Sequence, residues 1–240
     1  MSLYDQGKDA YFKANALGTV RVLEACRRMG VRQVVYTSTG HVYGVPLKLP
    51  VSEDHPTLPL SIYAASKLAG ENAVQGFAAS YDLSCKIARL SNLYGALSTT
   101  ETVIGRALGH VLAGEPISLR GLTAVRDFIH QDDVVEALIR LAAYGDEGIG
   151  NQTVNVSTSQ GETILRVAET LSRIATEEGL GYHEVVQPTG EIEENIPNLV
   201  LDNRRLATAV GWTPQITLEE GLRLTLREAI QLREKSSLKR

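Results

Sequence analysis

The sequence predicts an α/β protein built on a parallel, doubly wound sheet, with a smaller α+β part woven into it. Two observations carry that expectation. Within the first ninety residues a helical apolar period gives way to a short β-branched run, and the same succession then repeats. The runs are apolar almost throughout instead of alternating, as strands covered on both faces must be. No internal repeat and no low-complexity linker interrupts the chain, so a second unit has to be interleaved with the first.

From Lys8 to Met29 the residues Phe12, Ala16, Val20, Leu23 and Cys26 recur at three- and four-residue steps; Arg27 and Arg28 suit the negative end of that helix, and Gly30 stops it. Gln33 to Ser38 reads as a strand buried on both faces, and a polar, proline-bearing loop follows from Gly40 to Pro59. Ser61 to Tyr81 is a second, alanine-rich helix, and Lys86 to Leu90 a second buried strand. Beyond Gly95 the rhythm predicts a helix over Glu101–Ala113, strands at Ile117–Leu119 and Val125–Ile129, and a helix from about Asp132 with Leu138, Leu141 and Ala142 on one face. Thr153–Val156 is a strand, Thr163 caps a helix to about Glu178, and Val185–Pro188 is a further strand. The last helix runs from Leu218 to about Glu234 and leaves a solvated tail, Lys235 to Arg240.

With 240 residues, 43% of them hydrophobic and 22% charged, the chain can fill one large core or two smaller ones. A formal charge of −4 and scattered Lys and Arg leave no footprint for nucleic acid or an anionic membrane, which favours a small soluble partner. Cys26 and Cys85 have neither zinc-ligand nor disulfide-framework spacing, so no metal site is expected and a reducing cytoplasm fits. The amino terminus has no basic stretch followed by an apolar one, and no run approaches the ~18 apolar residues of a membrane span.

Tyr63 and Lys67 stand one turn apart on one face of the second helix. A phenol titrates near ~10, so service as a base at neutral pH needs about 4 kcal/mol of preferential phenolate stabilisation, and a nearby ammonium supplies part of it. Tyr4 and Lys8 share the spacing, so context has to separate the pairs. Ser38 and Thr39 end a buried strand, the edge at which open α/β sheets place ligands, and a hydroxyl there can hydrogen-bond a reacting oxygen. It can equally tie off the strand or cap a turn.

The ordered stretches TSTGHVYG, then Glu53, Asp54 and Pro56, then SIYAASKLAGE resemble the extended short-chain dehydrogenase/reductase family, in its NAD-dependent sugar-nucleotide epimerase/dehydratase branch, whose members include UDP-glucose 4-epimerase-like enzymes. RLSNLYG and VRDFIHQDDV are similar to further segments of that family, and LDNRRLATAVGWTPQITLEEGLR resembles its carboxyl-terminal signature. The resemblance implies that residues 1–95 form the later part of a Rossmann-like NAD-binding domain, and that 96–240 mainly form a substrate domain, with 124–157 returning to the sheet. It implies Tyr63 as catalytic base and acid, Lys67 as its partner and a ribose ligand, and Thr39 as the hydroxyl on the sugar oxygen. Asn15, Ser38 and Ser91 would complete the cofactor side with Thr39, Tyr63 and Lys67. Asn92 and Arg126 would hold the sugar-nucleotide, the guanidinium because its planar fork matches phosphate oxygens. A surface ion pair with Asp127 or Asp132 is the plainer reading of Arg126.

The reaction so implied oxidises a sugar carbon to a keto-sugar. A 4,6-dehydratase of this family carries an Asp-Glu pair after the catalytic Thr, and here Gly40 and His41 stand there. Epimerisation or keto reduction is therefore favoured over dehydration. His41 either assists proton transfer or points into its loop. Pro188, before Gly190 and Glu191, replaces an arginine that relatives carry as a second phosphate contact. Other readings are an NADP-dependent keto-sugar reductase and a non-catalytic nucleotide-sugar-binding protein. The two long helices carry more apolar surface than one sheet face covers, which predicts a homodimer.

No glycine-rich turn between a strand and a helix is present to receive a pyrophosphate; Gly145, Gly148 and Gly150 come after a helix and before a strand. A βαβαβ opening of very roughly 70 to 80 residues, at ~30 per βαβ unit, is expected to be missing. The 240 residues alone are accordingly expected to dimerise or aggregate and not to bind NAD. Calorimetric titration with NAD checks this, and micromolar binding overturns it.

Overall fold

The computed structural model describes residues 9–96, 98, 101–143, 152–187 and 197–237. Tyr4, Lys8, Gly145, Gly148, Gly150, Pro188, Gly190 and Glu191 lie outside them. Helix α1 (Asp9–Phe12) passes through a π-helical turn (Lys13–Leu17) into α2 (Gly18–Arg28). Strand β1 (Gln33–Thr39) and a 3-10 turn (Gly40–Tyr43) precede α3 (Ile62–Ser80), which leads to β2 (Ser84–Leu90) and β3 (Asn92–Tyr94). Next come α4 (Val103–Ala113), β4 (Ile117–Ser118), β5 (Val125–Arg126), β6 (Phe128–His130) and α5 (Gln131–Ala143). The chain ends with β7 (Thr153–Val156), β8 (Glu162–Thr163), α6 (Ile164–Glu177), β9 (Val185–Val186), α7 (Arg204–Val210) and α8 (Leu218–Ser237).

The main sheet has the order β1-β2-β7 with every pairing parallel, Ser38 opposite Arg89 and Arg89 opposite Asn155. Both faces are covered, as the apolar runs require. On one face Cys85 and Ile87 meet Leu23 of α2 and Val74 of α3. On the other, Ala88, Val154 and Val156 meet Val134, Ala137 and Leu141 of α5, with Leu206 of α7 and Trp212. Lys86 also points to this face; it is fully buried, and its ammonium donates to the Leu141 carbonyl at the end of α5, where the helix dipole favours a cation. A separate core joins Ile104, Leu108 and Val111 of α4, Leu171 and Ile174 of α6, and Leu222 and Leu226 of α8.

Several expectations change. β1 is not buried on both faces: Gln33 to Tyr36 are half-buried and Thr37 exposed, because among the described residues β1 has a strand on one side only. The first helix is also not one regular α-helix: its ladder widens at Lys13–Leu17 although its apolar period runs on unbroken. The predicted strand Val125–Ile129 is two strands: β5 pairs antiparallel with β8, while β6 pairs parallel with β3. Lys235 to Ser237 continue α8 instead of starting a tail. α7 and β3 were not predicted. Cys26 and Cys85 are free thiols.

The outer edge of β7 is closed by side chains. Glu53 accepts the Asn155 amide at 2.8 Å, and Arg205 donates to the Thr153 carbonyl at 3.2 Å. Asn155, wholly buried, donates to the carbonyls of Val51 and Asp202 and accepts from the Tyr43 hydroxyl. Glu53→Ala leaves a buried N–H without its acceptor, so the unfolding free energy is expected to fall by about 1–3 kcal/mol in a urea titration; an unchanged midpoint would contradict this.

Candidate functional site

Because β1 and β2 are parallel and α3 joins them, α3 begins at the carboxyl edge of the sheet. Ser61 starts it in extended conformation, its side chain accepting from the Ala64 amide at 3.1 Å. Tyr63 therefore lies in the first turn, at the same edge as Thr39. No hydrogen bond joins the two: the Tyr63 hydroxyl has no partner among the described residues, and its ring stands edge-on to Tyr11 with centroids 5.8 Å apart. Thr39 is 6% exposed and accepts the His41 amide at 3.3 Å, which leaves its own hydroxyl proton to give.

The π-helical turn serves this edge. Asn15 donates to Ser66 at 2.9 Å, and Ser66 donates to the Tyr63 carbonyl at 2.7 Å. The Asn15 carbonyl accepts from Thr19 and stands 3.3 Å from the Tyr36 hydroxyl, which lies 3.2 Å from the Lys67 carbonyl. Gly70 makes room for this junction, since a Cβ there would sit 2.2 Å from the Tyr36 oxygen and 2.4 Å from the Asn15 oxygen. Lys67 donates to the Thr37 carbonyl at 3.0 Å, 5.3 Å from the centre of the Tyr36 ring. Burial raises Tyr63 above the ordinary phenol range and lowers Lys67 below the ordinary ammonium range. Both shifts favour the neutral forms and have burial as their cause. Burial also pushes Tyr36 up to about 12.

His41 reaches solvent from within a recess. The surrounding protein, and then the Arg126 guanidinium, hold its imidazole below its ordinary range. Arg126 is 8% exposed and donates from one Nη to the carbonyls of Val125 and Pro197. Among the described residues it has no carboxylate partner. Asp132 sits by His130. Asp127, fully buried, accepts from Ser91, from the amide and hydroxyl of Thr158, and from the amides of Ser159 and Leu201. Asn92 gives its side-chain amide to the Asp127 carbonyl at 2.9 Å.

Tyr63, Lys67, Thr39, His41 and Arg126 thus share one end of the sheet, Lys67 and Arg126 with main-chain carbonyl contacts but with donors to spare. Asn15, Ser38, Ser91 and Asn92 are at the same end but have their side chains spent within the protein; Ser38 donates to Glu71. Sequence reasoning missed Tyr36, Glu71 and the Asp127 hub. The one signal for Glu71 was its place a turn beyond Lys67. A recess of about 630 Å³ lies elsewhere, at the β7 edge, lined by Ser52, Glu53, Gln152 and Arg205 among others. Its charged groups largely pair with one another.

A family described as NAD dependent epimerase/dehydratase matches residues 3–157. The UDP-glucose 4-epimerase of Mycolicibacterium smegmatis is 38% identical over 219 residues, 88% of this chain and 67% of that protein. Two solved structures share the fold: MoeE5 in complex with UDP-glucuronic acid and NAD, with a TM-score of 0.80 at 30% identity over 91% of this chain and 71% of that one, and the UDP-glucose 4-epimerase of Thermotoga maritima with UDP-glucose, with a TM-score of 0.79 at 27% identity over 92% and 71%. The chain spans about two thirds of the length of the curated relatives it matches.

An unpaired buried guanidinium costs stability, so Arg126→Met is expected to leave the unfolding free energy within about 1 kcal/mol of the parent or above it. A larger loss in denaturant titration would make Arg126 a structural residue.

Proposed function

Because the chain belongs to the NAD dependent epimerase/dehydratase family, we propose that it carries the tyrosine-bearing, sugar-nucleotide-binding part of an epimerase that inverts C4 of a UDP-sugar. The observation that carries the reading is the segment after Thr39. Dehydration needs an acid and a base there beyond the tyrosine. Gly40 packs so closely that a Cβ would lie 2.8 Å from the Leu201 side chain, and His41 is held toward its neutral form. Epimerisation needs neither group.

Tyr63 takes the proton of the sugar hydroxyl and returns it after the intermediate has turned. Bound NAD supplies the hydride acceptor and donor for the same carbon. The phenol starts above its ordinary range, so the Lys67 ammonium has to favour the phenolate when substrate covers the pair and excludes water, where charge attraction is stronger. Thr39, with its oxygen lone pair on the His41 amide, presents O–H to the sugar oxygen. Arg126 has Nε and its second Nη for phosphate oxygens, since its carbonyl contacts use one nitrogen.

The residues fit the ribose and nicotinamide end of NAD in part. Tyr63 and Lys67 are open to it, whereas Asn15, Ser38 and Ser91 contribute by shape or backbone, their side chains being committed. The return of β7 to the main sheet and the separate α4–α6–α8 core support the division into a cofactor part and a substrate part. Exposed Phe12, Leu17 and Val20 on α1 to α2 support a homodimer through that face. Two free thiols suit the cytoplasm.

In the native protein, supplied with NAD, UDP-glucose is expected to convert to UDP-galactose, followed by chromatography. Tyr63→Phe is expected to lower kcat by about 10²- to 10⁴-fold while cooperative unfolding is kept. His41→Gln is expected to leave the pH–rate profile unchanged over the neutral range, because a lowered imidazole pKa puts its titration on the acid side. Release of a 4-keto-6-deoxy sugar instead would show that water is eliminated and overturn the reading.

A further inference from the structure

α3 lies on the sheet with a face that offers little to interlock. Its buried residues are Ala64, Ser66, Gly70, Glu71 and Val74. Helices that pack through bulky side chains are held in register by ridges in grooves. Here four of the five fully buried residues are small or polar, and the larger side chains, Val74 with half-buried Leu68 and Phe77, supply only part of such a lock. One residue of slip is about 1.5 Å.

Glu71 is the exception in chemistry. It is 1% exposed, and its carboxylate is held from two neighbouring strands. Ser38 of β1 donates to Oε1 at 2.5 Å. Arg89 of β2 donates to Oε1 at 3.0 Å and to Oε2 at 2.6 Å, a two-point contact with fixed geometry. Ser38 and Arg89 are themselves paired across the strands. The guanidinium lies 4.7 Å from the centre of the buried Tyr43 ring, whose hydroxyl is tied to Asn155 of β7. Every strand of the main sheet is thereby connected to one point on α3. The other ties of α3 to β1 are single contacts to main-chain carbonyls, from Tyr36 and Lys67.

We propose that the buried Glu71–Arg89–Ser38 cluster is the positioning device that sets the register of α3, and with it the place of Tyr63 and Lys67 relative to Thr39. The inference rests on the epimerase reading for its effect on rate but not for its effect on geometry. A buried ion pair contributes little net stability, since the desolvation of both charges offsets their attraction; apolar replacements of similar volume are often neutral or stabilising. What such a pair does supply is direction, and a displacement of 1 Å at a reacting group can cost on the order of 10²-fold in rate.

The test compares the parent with the double variant Glu71→Leu, Arg89→Met, which removes both charges together. Three quantities are read: thermal unfolding, kcat and KM for the UDP-sugar in the native protein, and the ionisation midpoint of Tyr63 from alkaline difference absorbance, with Tyr63→Phe in each background as the subtraction. The ionisable groups around the phenol, Lys67 on α3, Tyr11 of α1 and Tyr36 of β1, are untouched. The double variant is expected to unfold cooperatively near the parent temperature. Its Tyr63 midpoint is expected to rise by about half a unit or more as the ammonium loses its fixed place. Its kcat is expected to fall on the order of 10- to 100-fold, with KM changed less than about threefold. A folded double variant with the parent's Tyr63 midpoint overturns the proposal. If the parent fails to interconvert UDP-sugars, the epimerase reading fails, and the Tyr63 midpoint still decides the positioning role. If the double variant does not fold, Ser38→Ala decides: it keeps the ion pair and cuts the tie to β1, and an unmoved Tyr63 midpoint there overturns the proposal as well.

Discussion

The site hangs on how a smooth helix is held against a sheet. Around the site α3 presents alanine, serine and glycine to the sheet, which allows close approach, while its larger apolar contacts, Val74 and Phe77, lie farther along. Polar contacts out of reach of water hold the helix in place there. Gly70 admits the Tyr36 hydroxyl between two helices, Asn15 holds Ser66, and a carboxylate and a guanidinium meet beneath the sheet's carboxyl edge. Each contact is directional, so small-residue packing and precise placement of Tyr63 are compatible.

A second set of buried polar groups brings the late chain back to the same edge. Asp127 accepts from Ser91, Thr158, Ser159 and Leu201, joining three separate segments. Burial pushes its carboxyl up and these donors oppose the shift. A consequence falls on its neighbour. With Asp127 saturated, Arg126 has no counter-charge within the described fold and remains able to meet an anion. The π-helical turn lies at the same junction: within it the Asn15 carbonyl meets the hydroxyls of Thr19 and Tyr36.

The electrostatics of the site are those of a resting state. Burial raises the Tyr63 phenol and lowers the Lys67 ammonium and the His41 imidazole, and the cationic side chains at this end are Lys67 and Arg126. In the proposed reaction one proton leaves a sugar hydroxyl and comes back, whereas expelling water from a neighbouring carbon would call for a separate acid and base acting together.

Local pattern alone determined the parallel α/β class, most helix bounds to within a few residues, and the facing of Tyr63 and Lys67 on one turn of helix; the grouping with Thr39 and Arg126 came from the family resemblance. The local outcomes follow from periodicity, capping and strand–helix order, which act over a few residues. It did not determine that β1 is half-covered, that Val125–Ile129 divides between two partners, or that Ser38, Ser91 and Asn92 turn their polar groups inward. Nor could it pair Glu71 with Arg89, or saturate Asp127. Those outcomes depend on which donor meets which acceptor across 18 to 74 positions of chain. A hydroxyl or carboxylate has the same identity in the sequence whether it faces a ligand or a neighbour, and only the folded arrangement, where burial makes an unmet hydrogen bond costly, decides between them.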